Sequence, residues 1–335
     1  MATKNQFVDF LTEIEPKQSM VDSCSSAHST LRDKLKNHET FRNVHSNTFL
    51  TGSYTRNTAI RPKTVAGQVS RPDVDIIVVT FHTRNDDPNA VIDQLYNALS
   101  DCGYPNLRKN RRSVSVLNAT VDMDVVPIIP SEGADHYWIP DKEEGIWIRT
   151  NPPGHTEWAT EVNKDASGRF KPLVKMLKWW KRENLPDLRR PKGFILEALV
   201  AAHMSYTETG YEALLEELFA SVKNSYSIHV ALGIVPQLED PAVPGNNVFS
   251  AVKFEEFKEF YDLLCMHAGL IAEARAEADT DKQLEKWREV FGRCFPAAGG
   301  TTKAAASLLL PAAAAAAGLS FPARAVTPNK PQGFA

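Results

Sequence analysis

The chain has 335 residues, and its 38 basic and 41 acidic side chains give a net charge of −3, which argues against bulk nucleic-acid binding and leaves room for a local basic patch. Its 43% hydrophobic and 24% charged content is that of an ordinary globular protein, and at about 150 residues per domain the length suits one large or two fused domains. Four scattered cysteines without a C-x-x-C pair, no apolar run of the ~18 residues that span a bilayer, and no apolar core in the opening Met-Ala-Thr-Lys-Asn-Gln point to a reduced, cytoplasmic protein without membrane attachment.

In chain order, residues 3–14 and 17–39 read as helices, the second with Leu31 and Leu35 at helical spacing. A strand ends near Thr51, and Gly52-Ser53 then opens a turn and a short helix to about Thr58. Arg56 and Arg61 flank that turn and read as solvated surface groups, with nucleotide contact as the alternative. Arg71-Pro72-Asp73-Val74-Asp75-Ile76-Ile77-Val78-Val79 has strand composition. Residues 88–100 form an amphipathic helix that begins on a proline and buries Val91, Ile92, Leu95 and Leu99. The basic run Leu107–Arg112 lacks interleaved aromatics and reads as a solvated loop. Residues 113–117 and 119–129 form a hairpin about Asn118 that delivers Asp122 and Asp124.

A second hairpin is expected at 136–149, with its tryptophans in a sheet core, and Asn151-Pro152-Pro153-Gly154 marks a lobe boundary. Helices follow at about 155–165, 170–184, 193–206, 209–224, 251–277 and 279–293. Within 170–184, Lys171, Lys175 and Lys178 share one face, which suits either a triphosphate or solvent. From Ala297 the composition turns to Ala, Gly, Pro, Thr and Ser, that of a flexible tail. The domain reading is therefore 1–153, 154–296 and the tail 297–335.

The chemistry lies in the aspartates. Residues i and i+2 of a strand share a face, so Asp73 and Asp75 project together and repel unless a cation lies between them. Hard carboxylate oxygens on a rigid strand suit Mg²⁺, and a third carboxylate from the Asp122/Asp124 strand would allow two ions about 4 Å apart. Gly52 lets backbone N–H groups approach a phosphate and Ser53 adds a hydroxyl; a helix starting there would strengthen the site. The geometry alone leaves the choice between Asp122 and Asp124 open.

The wording Thr-Gly-Ser-Tyr-Thr-Arg-Asn-Thr-Ala-Ile-Arg-Pro (51–62), Arg-Pro-Asp-Val-Asp-Ile-Ile-Val-Val (71–79), Leu-Val-Lys-Met-Leu-Lys-Trp-Trp (173–180) and Pro-Lys-Gly-Phe (191–194) resembles the CD-NTases, the cGAS/DncV-like nucleotidyltransferases of bacterial anti-phage signalling (CBASS), and among them clade D. The resemblance implies an α+β fold: a polymerase-β-like nucleotidyltransferase core with a long N-terminal bracing helix, fused to a helical lobe that closes the nucleotide site. It implies two Mg²⁺ ions (Mn²⁺ as a substitute) on Asp73, Asp75 and Asp124, the last chosen because it precedes Val125-Val126-Pro127. It also implies Gly52, Ser53, Lys178 and, second to it, Lys175 on the donor triphosphate. The implied product is a cyclic oligonucleotide made from ATP, with or without another nucleoside triphosphate. The implied partner is either a HORMA-type regulator or a ubiquitin-transferase-like enzyme acting on the C-terminal Ala335. A linear transferase acting on RNA, tRNA or protein and an idle nucleotide-binding scaffold are the rival readings.

Overall fold

A computed structural model describes residues 4–65, 68–118, 120–132 and 136–298. Two N-terminal helices, α1 (Lys4–Ile14) and α2 (Gln18–Lys36), are separated at Pro16. β1 (His45–Thr51) runs into the single-turn helix α3 (Gly52–Thr55), and a small ladder follows, β2 (Thr64–Val65) with β3 (Gln68–Val69). Then come β4 (Asp73–Thr80), α4 (Pro88–Asp101), β5 (Leu107–Lys109), β6 (Val114–Leu117), β7 (Asp122–Pro130), β8 (Tyr137–Asp141) and β9 (Ile146–Thr150). The helical part comprises α5 (Pro152–Asp165), α6 (Phe170–Asn184), α7 (Gly193–His203), α8 (Tyr211–Ala231), α9 (Phe254–Ala276) and α10 (Thr280–Phe291).

The sheet has the order β1-β4-β7-β6-β5, and the far half of β7 continues into β8 and β9. β4 and β7 run parallel, while β1 joins β4 and β6 joins β7 antiparallel. This is the mixed α+β architecture expected. Strand alternation decides what each face does. Val74, Ile76 and Val78 turn to one face and meet Leu31 and Leu35 of α2, Ile92, Leu95 and Leu99 of α4, and Val114 and Val116 of β6. Asp73, Asp75, Ile77 and Val79 take the other face, so the carboxylates stand at one end of an otherwise apolar strip.

The helices build a second core. Leu173, Val174, Leu177 and Trp180 of α6 are its centre, and α7 to α10 pack round them. Phe7, Phe10 and Ile14 of α1 belong to this helical core, whereas Cys24, Leu31 and Leu35 of α2 belong to the sheet core. The N-terminal brace is thus two helices on either side of Pro16, one for each core.

Three element readings change. The helix expected from about residue 155 already begins at Pro152: the Asn151 side chain accepts from Gly154 N–H, and proline fits the first turn, where no intrahelical donor is needed. Part of the basic run is strand β5, and its charges are largely paired, Lys109 with Asp93 and both Arg111 and Arg112 with the fully buried Asp141. α8 reaches Ala231, beyond the expected end. Except for residues 297 and 298, the tail, with Ala335, lies outside the described residues.

Candidate active site

Thr51, the last residue of β1, pairs with Asp75 across the strands, so the chain turns at Gly52 directly beside that carboxylate. Gly52 has φ +76°, and a Cβ there would sit 1.9 Å from Asp75 Oδ2. Only glycine meets both conditions. Ser53 follows half-buried, and its carbonyl accepts from Thr58 and Ala59 N–H groups, which closes the loop. Because α3 is one turn long, it brings no sizeable helix dipole; the turn offers a phosphate its backbone N–H groups and the Ser53 hydroxyl.

The parallel pairing of β4 with β7 sets Asp73 opposite Asp122 and Asp75 opposite Asp124. Neighbouring strands lie about 4.8 Å apart, so four carboxylates form a square on one face. Burial, followed by the charges of Asp124, Asp75 and Asp122, raises the Asp73 carboxyl to about 7. Burial and Asp124 raise Asp75 as well, against the opposing charges of Arg56, Lys178 and Lys192. Asp122 has an outer cation, Arg71, with Nε 3.3 Å from Oδ1. Asp124 Oδ1 accepts from the Ser115 hydroxyl at 2.5 Å and from Asn110 Nδ2 at 3.3 Å.

A divalent cation fits this set. Beyond the effect of burial, the like charges of Asp124, Asp75 and Asp122 that raise the Asp73 carboxyl are those a dication would neutralise, and the donors are hard oxygens. Among the described residues no three His, Cys, Asp or Glu side chains already converge on one point at ligating distance. The backbone register places Asp75 opposite Asp124, with Asp73 two residues away on the same strand face.

The lysine row departs from expectation. Lys178 is buried, and its ammonium donates to Glu197 Oε1 (2.7 Å) and to Thr58 O and Oγ1 (each 3.1 Å), which occupies all three of its donors. Lys175 is also buried and donates to Glu15 Oε1 at 2.7 Å. Neither presents a free ammonium to a phosphate in this arrangement, and neither lies on a solvated face. Arg56, expected at the surface, is buried too: its Nε and Nη2 donate to Glu197 Oε2 (2.6 Å) and Oε1 (3.1 Å). One fully buried carboxylate, Glu197 of α7, therefore ties Arg56 and Thr58, just after the Gly52-Ser53 turn, to Lys178 of α6. Arg61 pairs with Glu13 and lies over the Trp179 ring, 5.2 Å from its centroid.

Several residues carry roles that sequence reasoning did not assign. Lys192 is exposed, and its charge bears on both Asp73 and Asp75. Its neighbour Gly193 leaves room for Lys178, whose Cε is 3.3 Å from where a Cβ would stand. The signal was in the quoted Pro-Lys-Gly-Phe wording, to which no function was attached. Asn110 and Ser115 hold Asp124, and only the strand register reveals that contact. Trp179 and Trp180 are packing residues as expected, their indole N–H groups donating to Phe291 O and His267 Nδ1.

A mixed sheet carrying paired strand carboxylates opposite a Gly-Ser turn, with a helical lobe behind it, defines a polymerase-β-like nucleotidyltransferase. Residues 1–163 match the Second Messenger Oligonucleotide or Dinucleotide Synthetase domain. The whole chain is 55% identical to 98% of a cyclic AMP-AMP-AMP synthase from an Acinetobacter species. Over 89% of its length it is 28% identical to a cyclic AMP-AMP-GMP synthase from Enterobacter hormaechei, 93% of which is covered. In structure it resembles Escherichia coli CdnC in complex with HORMA-deltaN, with a TM-score of 0.70, 19% identity, and coverage of 88% of this chain and 98% of that one. The chain belongs to the CD-NTase family of cyclic oligonucleotide synthases.

Proposed function

We propose that this enzyme condenses ATP into cyclic AMP-AMP-AMP, with Asp73, Asp75 and Asp124 as the metal-binding catalytic carboxylates. The observation that carries the reading is the register that sets Asp75 opposite Asp124 on one side and against Gly52 on the other. The choice of product is supported by full-length 55% identity to a synthase of that name; the relative at 28% makes a product containing GMP.

In each step a ribose hydroxyl oxygen of one nucleotide forms a bond to the α-phosphorus of another. The α–β phosphoanhydride bond breaks, pyrophosphate leaves, and the hydroxyl proton is lost. Two Mg²⁺ ions (Mn²⁺ as a substitute), held by Asp73, Asp75 and Asp124, would stabilise the attacking and leaving oxygens. Gly52 and Ser53 hold the donor triphosphate by backbone N–H groups and hydroxyl. Lys192 faces the same phosphates as an exposed cation. Lys178 acts from behind the turn, its charge reaching Asp75 without direct phosphate contact, and Lys175 steadies the helical lobe through Glu15. The helical lobe, 154–296, closes over the nucleotide. Asp122, held by Arg71, lies outside the metal set.

The reading extends to clade D, a cytoplasmic location and a role in anti-phage signalling through the cyclic product. Among the described residues no helix is long and apolar enough to cross a membrane. A HORMA-type regulator is the partner favoured, since the CdnC neighbour was solved with one. Conjugation through Ala335 by a ubiquitin-transferase-like enzyme is the other partner reading.

The test is incubation with labelled ATP, GTP, CTP and UTP, with and without the regulator, followed by phosphatase and mass spectrometry. A phosphatase-resistant trimer of AMP is expected from ATP alone. A product fully lost to phosphatase would make the enzyme a linear transferase, and a ring containing GMP would overturn the assigned product.

A further inference from the structure

We propose that Asn110 and Ser115 are positioning residues for Asp124: they pin Oδ1 and so present Oδ2 to the metal and the acceptor hydroxyl. The proposal rests on the reading that Asp124 is the third carboxylate of the site. Ser115 stands directly opposite Asp124 in the β6–β7 pairing and is buried. A carboxylate accepts only, so the Ser115 hydroxyl donates to Asp124 Oδ1 over 2.5 Å. That leaves the hydroxyl oxygen as an acceptor, and Asn110 Nδ2 donates to it at 2.7 Å.

The direction of the relay is fixed from outside. Arg108 Nε donates to Asn110 Oδ1 at 3.1 Å, which turns the amide nitrogen inward. The same nitrogen reaches Ser113 Oγ at 3.0 Å and Asp124 Oδ1 at 3.3 Å, and the Asn110 backbone N–H donates to Ser113 O at 2.8 Å. Amide, hydroxyl and carboxylate therefore form one chain in which each donor strengthens the next. Both donors converge on a single oxygen. Rotation of the Asp124 carboxylate about its last torsion, otherwise broad and soft, is restrained. Partners of this kind, one step removed from a metal, orient its ligands.

The experiment compares Ser115→Ala, Asn110→Ala, the double variant and Ser115→Thr with the full-length enzyme. Mn²⁺ affinity is read by electron paramagnetic resonance in the presence of a non-hydrolysable ATP analogue, alongside kcat, KM for ATP and the melting temperature. Ser115→Ala is expected to weaken Mn²⁺ binding and lower kcat by about 10–100-fold, with KM and melting temperature little changed. The double variant should lose far less than the product of the single losses, because both act through one oxygen. Ser115→Thr, which keeps the hydroxyl, should recover Mn²⁺ affinity. Wild-type Mn²⁺ affinity in Ser115→Ala would overturn the proposal, as would a loss that merely follows the melting temperature. Asp124→Asn separates the two levels: if it leaves Mn²⁺ binding and product intact, the assignment of Asp124 itself is at fault.

Discussion

Changing Asp73 and Asp75 together to alanine is expected to abolish cyclic product while the protein stays folded. Loss of one preorganised electrostatic group from a transition state costs about 10²–10³ in rate, and this change removes two. The fold is expected to be spared because neither side chain belongs to the apolar core, whose packing Val74, Ile76 and Val78 carry on the opposite face of the strand. Removing the pair also relieves repulsion. The Asp73 carboxyl, raised to about 7 chiefly by burial and then by its neighbours, binds its proton more tightly folded than unfolded. Its stabilising contribution is therefore present below the unfolded pKa of about 4 and lost as the pH rises through about 7. Without added divalent ions, the double variant should melt above wild type at pH 8, and the gap should close toward pH 4. Water still reaches Asp73, so the difference is on the order of 1 kcal/mol. Product assay and thermal melts across pH measure both arms; full activity in the double variant would remove the carboxylates from the chemistry.

Glu197→Ala is expected to destabilise the protein by roughly 3–5 kcal/mol, the range for removing one partner from a buried ion pair. The carboxylate is fully buried, and its loss leaves the buried Arg56 and Lys178 without the ion pair that each makes with it. Burial acts to raise the Glu197 carboxyl, but Lys178, Arg56 and their hydrogen bonds outweigh it and hold the group down to about 2. A depressed carboxyl stabilises the fold above its unfolded value near 4.5, and that stability disappears as the pH falls through about 2. Urea unfolding at pH 7 and at pH 3 checks both points: wild type loses stability between them, and Glu197→Gln shows a shallower dependence. Activity should fall too, since Arg56 and Thr58 anchor the chain just beyond the Gly52-Ser53 turn.

What the sequence revealed was local. The β-branched run Ile76-Ile77-Val78-Val79 displayed the strand by composition, and the two-residue spacing of Asp73 and Asp75 then placed both carboxylates on one face. The stripe Val91, Ile92, Leu95, Leu99 was equally plain and is buried as read. Contacts made by distant segments were hidden. Lys178 looked free for a phosphate because its partner Glu197 lies on another helix and Thr58 precedes it by 120 residues. Arg56 looked solvated for the same reason. Asn110 and Ser115 fell in and beside a basic run, and only pairing with β7 shows that they hold Asp124. Pro152-Pro153 read as a break, although proline is equally suited to a helix's first turn.

The proposed two-ion site lies between β4 and β7 beside the Gly52-Ser53 turn. The most direct test is a crystal structure with Mn²⁺ and a non-hydrolysable ATP analogue, read at the manganese absorption edge. Anomalous peaks are expected among Asp73, Asp75 and Asp124, with the triphosphate on Gly52 and Ser53. Manganese held by other residues, or a triphosphate seated away from that turn, would contradict it.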